Sequence, residues 1–335
     1  MTMSPATRQL GPFTVSAIGL GCMNLSHAYG TPPDAKTAAA LLNEALDLGY
    51  TLLDTAALYG FGANETLIGE ALAGRRNEFV LASKCGMAAN AEGKREINGR
   101  PEVIKTTCEA ALGRLRTDVI DLYYLHRWDK TVPIEDSVGA LSDLVSEGKV
   151  RTIGLSEVSA DTLRRAHAVH PITALQTEYS LWTRNPEIAV LAACKDLGVT
   201  FVAFSPLARG FLTGTLRGPA ELSAKDIRAA MPRFAPDAYA RNLQLLEPMA
   251  VLAGEVGCTL AQLALAWVLA KDPTLIPIPG TTKSSRLREN LDAAALRLEP
   301  ELVARLDGII NQNTVVGARY NAATQAEIDT EEFAA

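Results

Sequence analysis

Residues 51–60 read TLLDTAALYG, and they begin as a strand but end as something else. Thr51, Leu52 and Leu53 suit a buried strand, yet Asp54 closes the run and Tyr59 follows on the loop. A strand that is apolar throughout, rather than at every second residue, is covered on both faces, as in a parallel sheet. Just upstream, DAKTAAALLNEALDL (34–48) has apolar residues at helical spacing, and Gly49 is placed to stop it. Helix, glycine, short buried strand and polar strand end form a unit, and that unit recurs along the chain.

Eight runs carry this strand character: 17–23, 51–55, 79–84, 119–126, 150–156, 173–180, 199–205 and 275–280. At least one helical pattern follows each; PEVIKTTCEAALGRL (101–115), for example, opens with proline at a helix start. Strict alternation of strand and helix implies a parallel sheet, and eight repeats imply a closed (β/α)8 TIM barrel. An N-terminal β-hairpin is expected in RQLGPFTVSA, and extra C-terminal helices at 242–256, 259–271 and 300–310. No linker divides the chain, so 1–335 reads as a single domain. Its polar tail, 311–335, is expected to be mobile or lid-like, and the irregular segment 211–240 is a second lid candidate. An open doubly wound sheet is the alternative architecture.

Of 335 residues, 48% are apolar, enough for a large core. The net charge of −6 comes from mixed acids and bases without a basic block, which gives no electrostatic footprint for nucleic acid. Cys22, Cys85, Cys108, Cys194 and Cys258 are odd in number and contain no C-x-x-C pair, which suits a reducing compartment. MTMSPATRQLG lacks the apolar stretch of a signal peptide, and no run is long enough to span a bilayer. A cytoplasmic protein, monomeric or weakly homo-oligomeric, is expected, with neither membrane nor nucleic acid as partner.

Barrel chemistry belongs at the C-terminal ends of the strands. There the sequence puts Asp54 and Tyr59 after strand two, Lys84 after strand three and His126 after strand four. Each alone has an ordinary explanation: a turn aspartate, a loop tyrosine, a solvated lysine, a rim histidine. Together they form a proton-transfer set. A lysine cation ~4 Å from a phenol, at an effective dielectric of ~20, favours the phenolate by ~4 kcal/mol, or as much as ~3 pKa units. Asp54 would anchor the ammonium, and His126 would hydrogen-bond the reacting oxygen. Such a set suits protonating a carbonyl oxygen while a hydride-donating cofactor attacks the carbon.

At these residues the sequence strongly resembles the aldo-keto reductase family, from GLGCM to RLREN. The segments that carry the resemblance are DTAALYG, LASK, DLYYLHR, GLSEVS, QTEYSL, FSPLARGFLTG and IPGTTKSSRLREN. It is most similar to the bacterial and plant branch with the S-P-L-x-R-G and I-P-G-T-T-K patterns. The resemblance implies an NADPH-dependent reductase of aldehydes or ketones, an alcohol dehydrogenase-type activity. It makes Tyr59 the general acid, Lys84 its pKa partner, Asp54 the support of Lys84 and His126 the orienter of the carbonyl. It also implies a cofactor site. Ser156 and Gln176 would hold the nicotinamide carboxamide, and Phe204 would stack on the ring. Ser205, Pro206, Leu207, Arg209 and Gly210 would follow the pyrophosphate, with Met23, Gly280, Thr281 and Thr282 beside the cofactor. Lys283 and Arg286 would meet the adenosine 2′-phosphate, and Glu289 and Asn290 the adenine. One departure is Glu157, where many relatives carry asparagine.

Competing readings meet specific obstacles. A dinucleotide fingerprint G-x-G-x-x-G fails at Asn24 after Gly19 and Gly21. None of the tyrosines stands four residues before a lysine, as a short-chain dehydrogenase would require. His27, His126, His167 and His170 are scattered and read poorly as metal ligands. A Schiff-base aldolase using Lys84 and a cofactor-binding regulatory sensor subunit remain open. Trp128 and Trp182, after strands four and six, and parts of the tail are the expected walls of the substrate pocket.

Overall fold

Strand order in space equals strand order in the chain. A computed structural model describes residues 6–90, 92–223 and 225–334. Residues 1–5, Ala224 in the 211–240 segment and Ala335 at the end of the tail lie outside them. Eight parallel strands run Leu20–Gly21, Leu52–Asp54, Val80–Cys85, Ile120–Leu125, Val150–Ser156, Ala174–Glu178, Thr200–Phe204 and Leu275–Pro277. Neighbouring registers include Leu53↔Leu81, Ala82↔Leu122, Tyr124↔Gly154 and Val202↔Ile276. The first and last strands meet through the parallel bridge Gly21↔Gly280. Gly19 N–H donates to Pro277 O at 3.0 Å and Gly21 N–H to Pro279 O at 3.2 Å. A side chain at either seam glycine would collide: a Cβ on Gly21 would lie 2.8 Å from Ile278 O, and one on Gly280 2.9 Å from Gly21 O.

The core has two layers. Leu52, Ala82, Leu122, Tyr124, Ala174, Val202 and Ile276 point inward and pack with Leu10 and Val15. Those last two come from the antiparallel hairpin Thr7–Leu10 and Phe13–Ser16, so the hairpin plugs the barrel. Gly154 leaves room for the Tyr124 ring; a Cβ there would come within 2.5 Å of it. The larger layer lies between strands and helices. These helices start and stop where the chain signals it. Asp34 Oδ1 accepts from Thr37 N–H at 2.9 Å, and Gly49 closes the same helix at φ +100°.

Three local expectations change. The helix expected at 242–256 is two, Pro236–Leu243 and Leu246–Val256. Pro248 tolerates a helix only in its first turn, which forces a new start near Leu246. An unexpected hairpin, Met87–Ala89 with Arg95–Ile97, follows the third barrel strand. The tail is docked rather than loose: Asp329 Oδ2 accepts from Ser159 Oγ at 2.9 Å and Thr162 Oγ1 at 2.7 Å, and Glu331 Oε1 accepts from Ala160 N–H at 2.7 Å. Both acids meet the N-terminus of the helix Ala160–Val169, where the helix dipole favours negative charge. Among the described residues, no single helix is long and apolar enough to cross a membrane.

Candidate active site

Asp54, Lys84 and His126 come from three adjacent strand ends, and the loop after the Asp54 strand carries Tyr59 back over them. Lys84 Nζ donates to Asp54 Oδ1 at 2.5 Å, to Thr55 O at 2.8 Å and to Tyr59 Oη at 3.3 Å. The other oxygen of Asp54 accepts from Gln176 Nε2 at 2.7 Å. The His126 ring meets Tyr59 edge to face with centroids 5.9 Å apart, and its buried Nδ1 has no hydrogen-bond partner among the described residues. Lys84 has no exposed surface. It stands behind the cavity wall, whereas Asp54, Tyr59 and His126 line the cavity.

Burial dominates the electrostatics and corrects one expectation. It pushes the Tyr59 phenol above its ordinary value, and the charge of Lys84 recovers only part of that rise. The expected net lowering is therefore reversed in direction. Burial also disfavours charge on Lys84, but Asp54 and Tyr59 outweigh it and hold the amine above the ordinary lysine value. Burial, then Arg127 and Lys84, keep His126 well below the usual histidine range, so its imidazole is neutral at neutral pH.

The cavity, of about 510 Å³, opens from this cluster. Every residue named above for the cofactor lines it, from Met23 through Ser156, Gln176, the 204–207 stretch, Arg209 and Gly210 to Asn290. Its chemistry suits an elongated anion. Ser205, Ala208, Arg209 and Gly210 all have positive φ, a backbone form that turns N–H groups into anion-binding concavities. The turn Gly280–Lys283 leads into the helix Ser284–Asp292, with Lys283 and Arg286 at its N-terminal turn. The 211–240 segment crosses the cavity: Ile227 N–H donates to Ala28 O at 3.1 Å, and the Arg228 guanidinium lies 5.1 Å from the Tyr29 ring centre.

The family model described as "Aldo/keto reductase family" matches residues 17–311. This chain belongs to the aldo-keto reductase family. A curated relative, "Aldo-keto reductase yakc [NADP(+)]" of Schizosaccharomyces pombe, is 42% identical over 97% of each chain. Among solved structures, the glycerol dehydrogenase AKR11B4 from Gluconobacter oxydans is 29% identical with a TM-score of 0.84, covering 92% of this chain and 95% of its own. An aldo-keto reductase from Klebsiella pneumoniae in complex with NADPH is 28% identical with a TM-score of 0.70, covering 95% and 99%.

Within this aldo-keto reductase, the Glu157 departure has a structural partner. Glu157 Oε1 accepts from Arg319 Nη2 at 2.7 Å and from Glu178 N–H at 2.9 Å. Glu178 Oε2 accepts from Arg209 Nη2 at 2.7 Å and Arg319 Nε at 3.2 Å. Burial raises Glu178, yet Arg209 and Arg319 overcome it and hold the carboxyl at about 2. The tail thus reaches the cavity-lining Arg209 through a buried double ion pair.

Neither tryptophan lines the cavity. Trp182 is in the core, stacked on Phe211 with centroids 4.2 Å apart and edge-on to Phe234. Trp128 donates from Nε1 to Val132 O at 2.9 Å and lies 5.8 Å beneath the Arg165 guanidinium. Rim position alone suggested them as pocket walls, but Phe211 and Phe234 of the 211–240 segment cover Trp182, while Val132 and, from the helix Ala160–Val169, Arg165 engage Trp128. The tail, expected as part of the wall, lines the cavity with Tyr320, Thr324 and Glu327, and the place of the tryptophans is taken by Met87 and Arg95 of the unexpected hairpin and by Arg127. Of Met87, Arg95 and Arg127, only Arg127 carried a usable sequence signal, its place directly after His126.

Proposed function

We propose that this chain reduces an aldehyde or ketone to the alcohol with NADPH, Tyr59 being the general acid. The observation that carries the reading is the 3.3 Å approach of the Lys84 ammonium to a phenol that faces the cavity. When bound, the cofactor supplies a hydride to the carbonyl carbon. As the C=O π electrons move to oxygen, that oxygen takes the proton of Tyr59. Lys84 stabilises the phenolate left behind, and Asp54 keeps Lys84 charged and oriented. His126, neutral, hydrogen-bonds the carbonyl oxygen from its cavity side. A raised phenol pKa suits this direction, since the donor is fully protonated at neutral pH.

Ser156, Gln176 and Phe204 would hold the nicotinamide, the stretch from Ser205 to Gly210 with its positive-φ residues would follow the pyrophosphate, and Lys283 and Arg286 would meet the 2′-phosphate. Tail residues Tyr320, Thr324 and Glu327 line the cavity, which supports reading 311–335 as a lid on a single barrel domain. The five cysteines are all free, in keeping with a cytoplasmic location.

A Schiff-base mechanism is disfavoured because Lys84 lies behind the wall with three partners already on its amine. A sensor role is disfavoured by the complete proton-transfer set. The test is NADPH consumption over a panel of aldehydes, ketones and quinones. Steady turnover is expected; tight NADPH binding with no turnover on any carbonyl would favour the sensor.

A further inference from the structure

Five arginines line the cavity, and four are already satisfied by carboxylates of the chain. Arg95 pairs with Glu327, Arg209 with Glu178, Arg228 with Asp226 and Arg286 with Glu289. Arg127 is the exception: among the described residues it makes no ion pair. Its Nη1 donates to His126 O at 2.6 Å and to Ser156 Oγ at 3.3 Å, and Nε and Nη2 make no hydrogen bond to the described residues. A half-buried guanidinium without a counter-charge is costly, and its planar fork matches a carboxylate. Its place is telling as well. It adjoins His126 in the chain, touches Ser156, and its charge bears on both Tyr59 and His126.

We propose that Arg127 is a specificity-determining residue, and that the substrate is a carbonyl compound bearing a carboxylate a short distance from the reacting carbon. The inference rests on the carbonyl-reductase reading above. The substrate carboxylate would take the free edge of the guanidinium while its carbonyl oxygen meets Tyr59 and His126. A phosphate would call for a second free cation, and Arg95 is occupied by Glu327.

The test compares 4-carboxybenzaldehyde with its methyl ester on the wild type, Arg127→Met and Arg127→Lys. The acid-to-ester ratio of kcat/KM is expected to exceed unity in the wild type. It should fall about tenfold or more in Arg127→Met, mainly through KM, with partial recovery in Arg127→Lys. Equal losses on both substrates would mean that Arg127 acts only through Tyr59, and would overturn the proposal, as would an unchanged ratio. A second arm needs no turnover: calorimetric binding of benzoate and benzamide to the NADP+-loaded protein. Benzoate should bind more tightly than benzamide, and Arg127→Met should erase the difference. If no carbonyl is reduced but this binding difference holds, the reductase reading fails and the carboxylate site stands. If both ligands bind alike, the carboxylate site fails whatever the turnover.

Discussion

Lys84 and Tyr59 meet at 3.3 Å through the back of the cavity wall, with the lysine shut off from solvent and the tyrosine facing the space where a substrate would lie. The division of labour follows from that arrangement. Tyr59→Phe removes the only proton of the pair that faces the cavity. Turnover is expected to drop by about 10²–10⁴-fold, the usual worth of a positioned acid. NADPH affinity, measured by fluorescence titration, should stay within about threefold. Parent-level turnover in that variant would exclude Tyr59 as the donor.

The pH profile distinguishes a strengthened acid from a buried one. The donor must be protonated, and burial holds its pKa above the ordinary phenol value of ~10. Reduction kcat should therefore be flat through neutral and mildly alkaline pH, with any loss arising only beyond ~10. An alkaline limb near neutrality would mean that Lys84 outweighs burial after all.

Stability should have a pH limb of its own. His126 is neutral when folded, with a pKa well below the ~6.5 of the unfolded chain. Below ~6.5 the unfolded state takes up that proton first, so stability is intact above this value and declines as pH falls. Denaturant midpoints measured between neutral and mildly acidic pH should show the decline, and His126→Gln should flatten it.

Cofactor choice is expected to depend on the helix start at Ser284. Arg286 is partly engaged by Glu289, whereas Lys283 makes no ion pair among the described residues. NADPH should bind at least about tenfold more tightly than NADH, a difference of ~1.4 kcal/mol. Lys283→Ala should narrow the gap by weakening NADPH alone. Equal affinities in the parent protein would refute the 2′-phosphate assignment.

Arg319 links the tail to two buried carboxylates. Arg319→Met would strand Glu157 and leave Glu178 with one cation, and losing one partner of a buried pair costs about 3–5 kcal/mol. Adding Glu157→Gln should restore part of the loss, because the stranded charge is then gone. Purely additive losses in urea melts would show that the two residues are not coupled.

The barrel was legible because most strand residues are buried on both faces and several helices announce their ends locally, as Asp34, Gly49 and Pro101 do. The cluster of Asp54, Tyr59, Lys84 and His126 was legible for a related reason: a polar group that ends an apolar strand has few places to go in a barrel. What escaped depends on contacts remote in sequence. Trp182 is drawn into the core by Phe211 and Phe234, which no local pattern pairs with it. Arg319 meets Glu157 across 162 residues, so an apparent anomaly at Glu157 could not be matched to its partner. The direction of the Tyr59 shift depends on enclosure, a property of the folded wall rather than of any segment.

The glycine seam has a consequence for how the two ends of the chain hold together. Met23 follows one side of it and Gly280 to Asn290 extend from the other, and both flank the same cavity. A dinucleotide lying there would stitch the opening and closing strands, much as a clip holds a rolled sheet. Amide exchange at Gly19 and Gly21, whose N–H groups cross the seam, should slow on loading with NADP+ more than exchange at strands on the far side of the barrel.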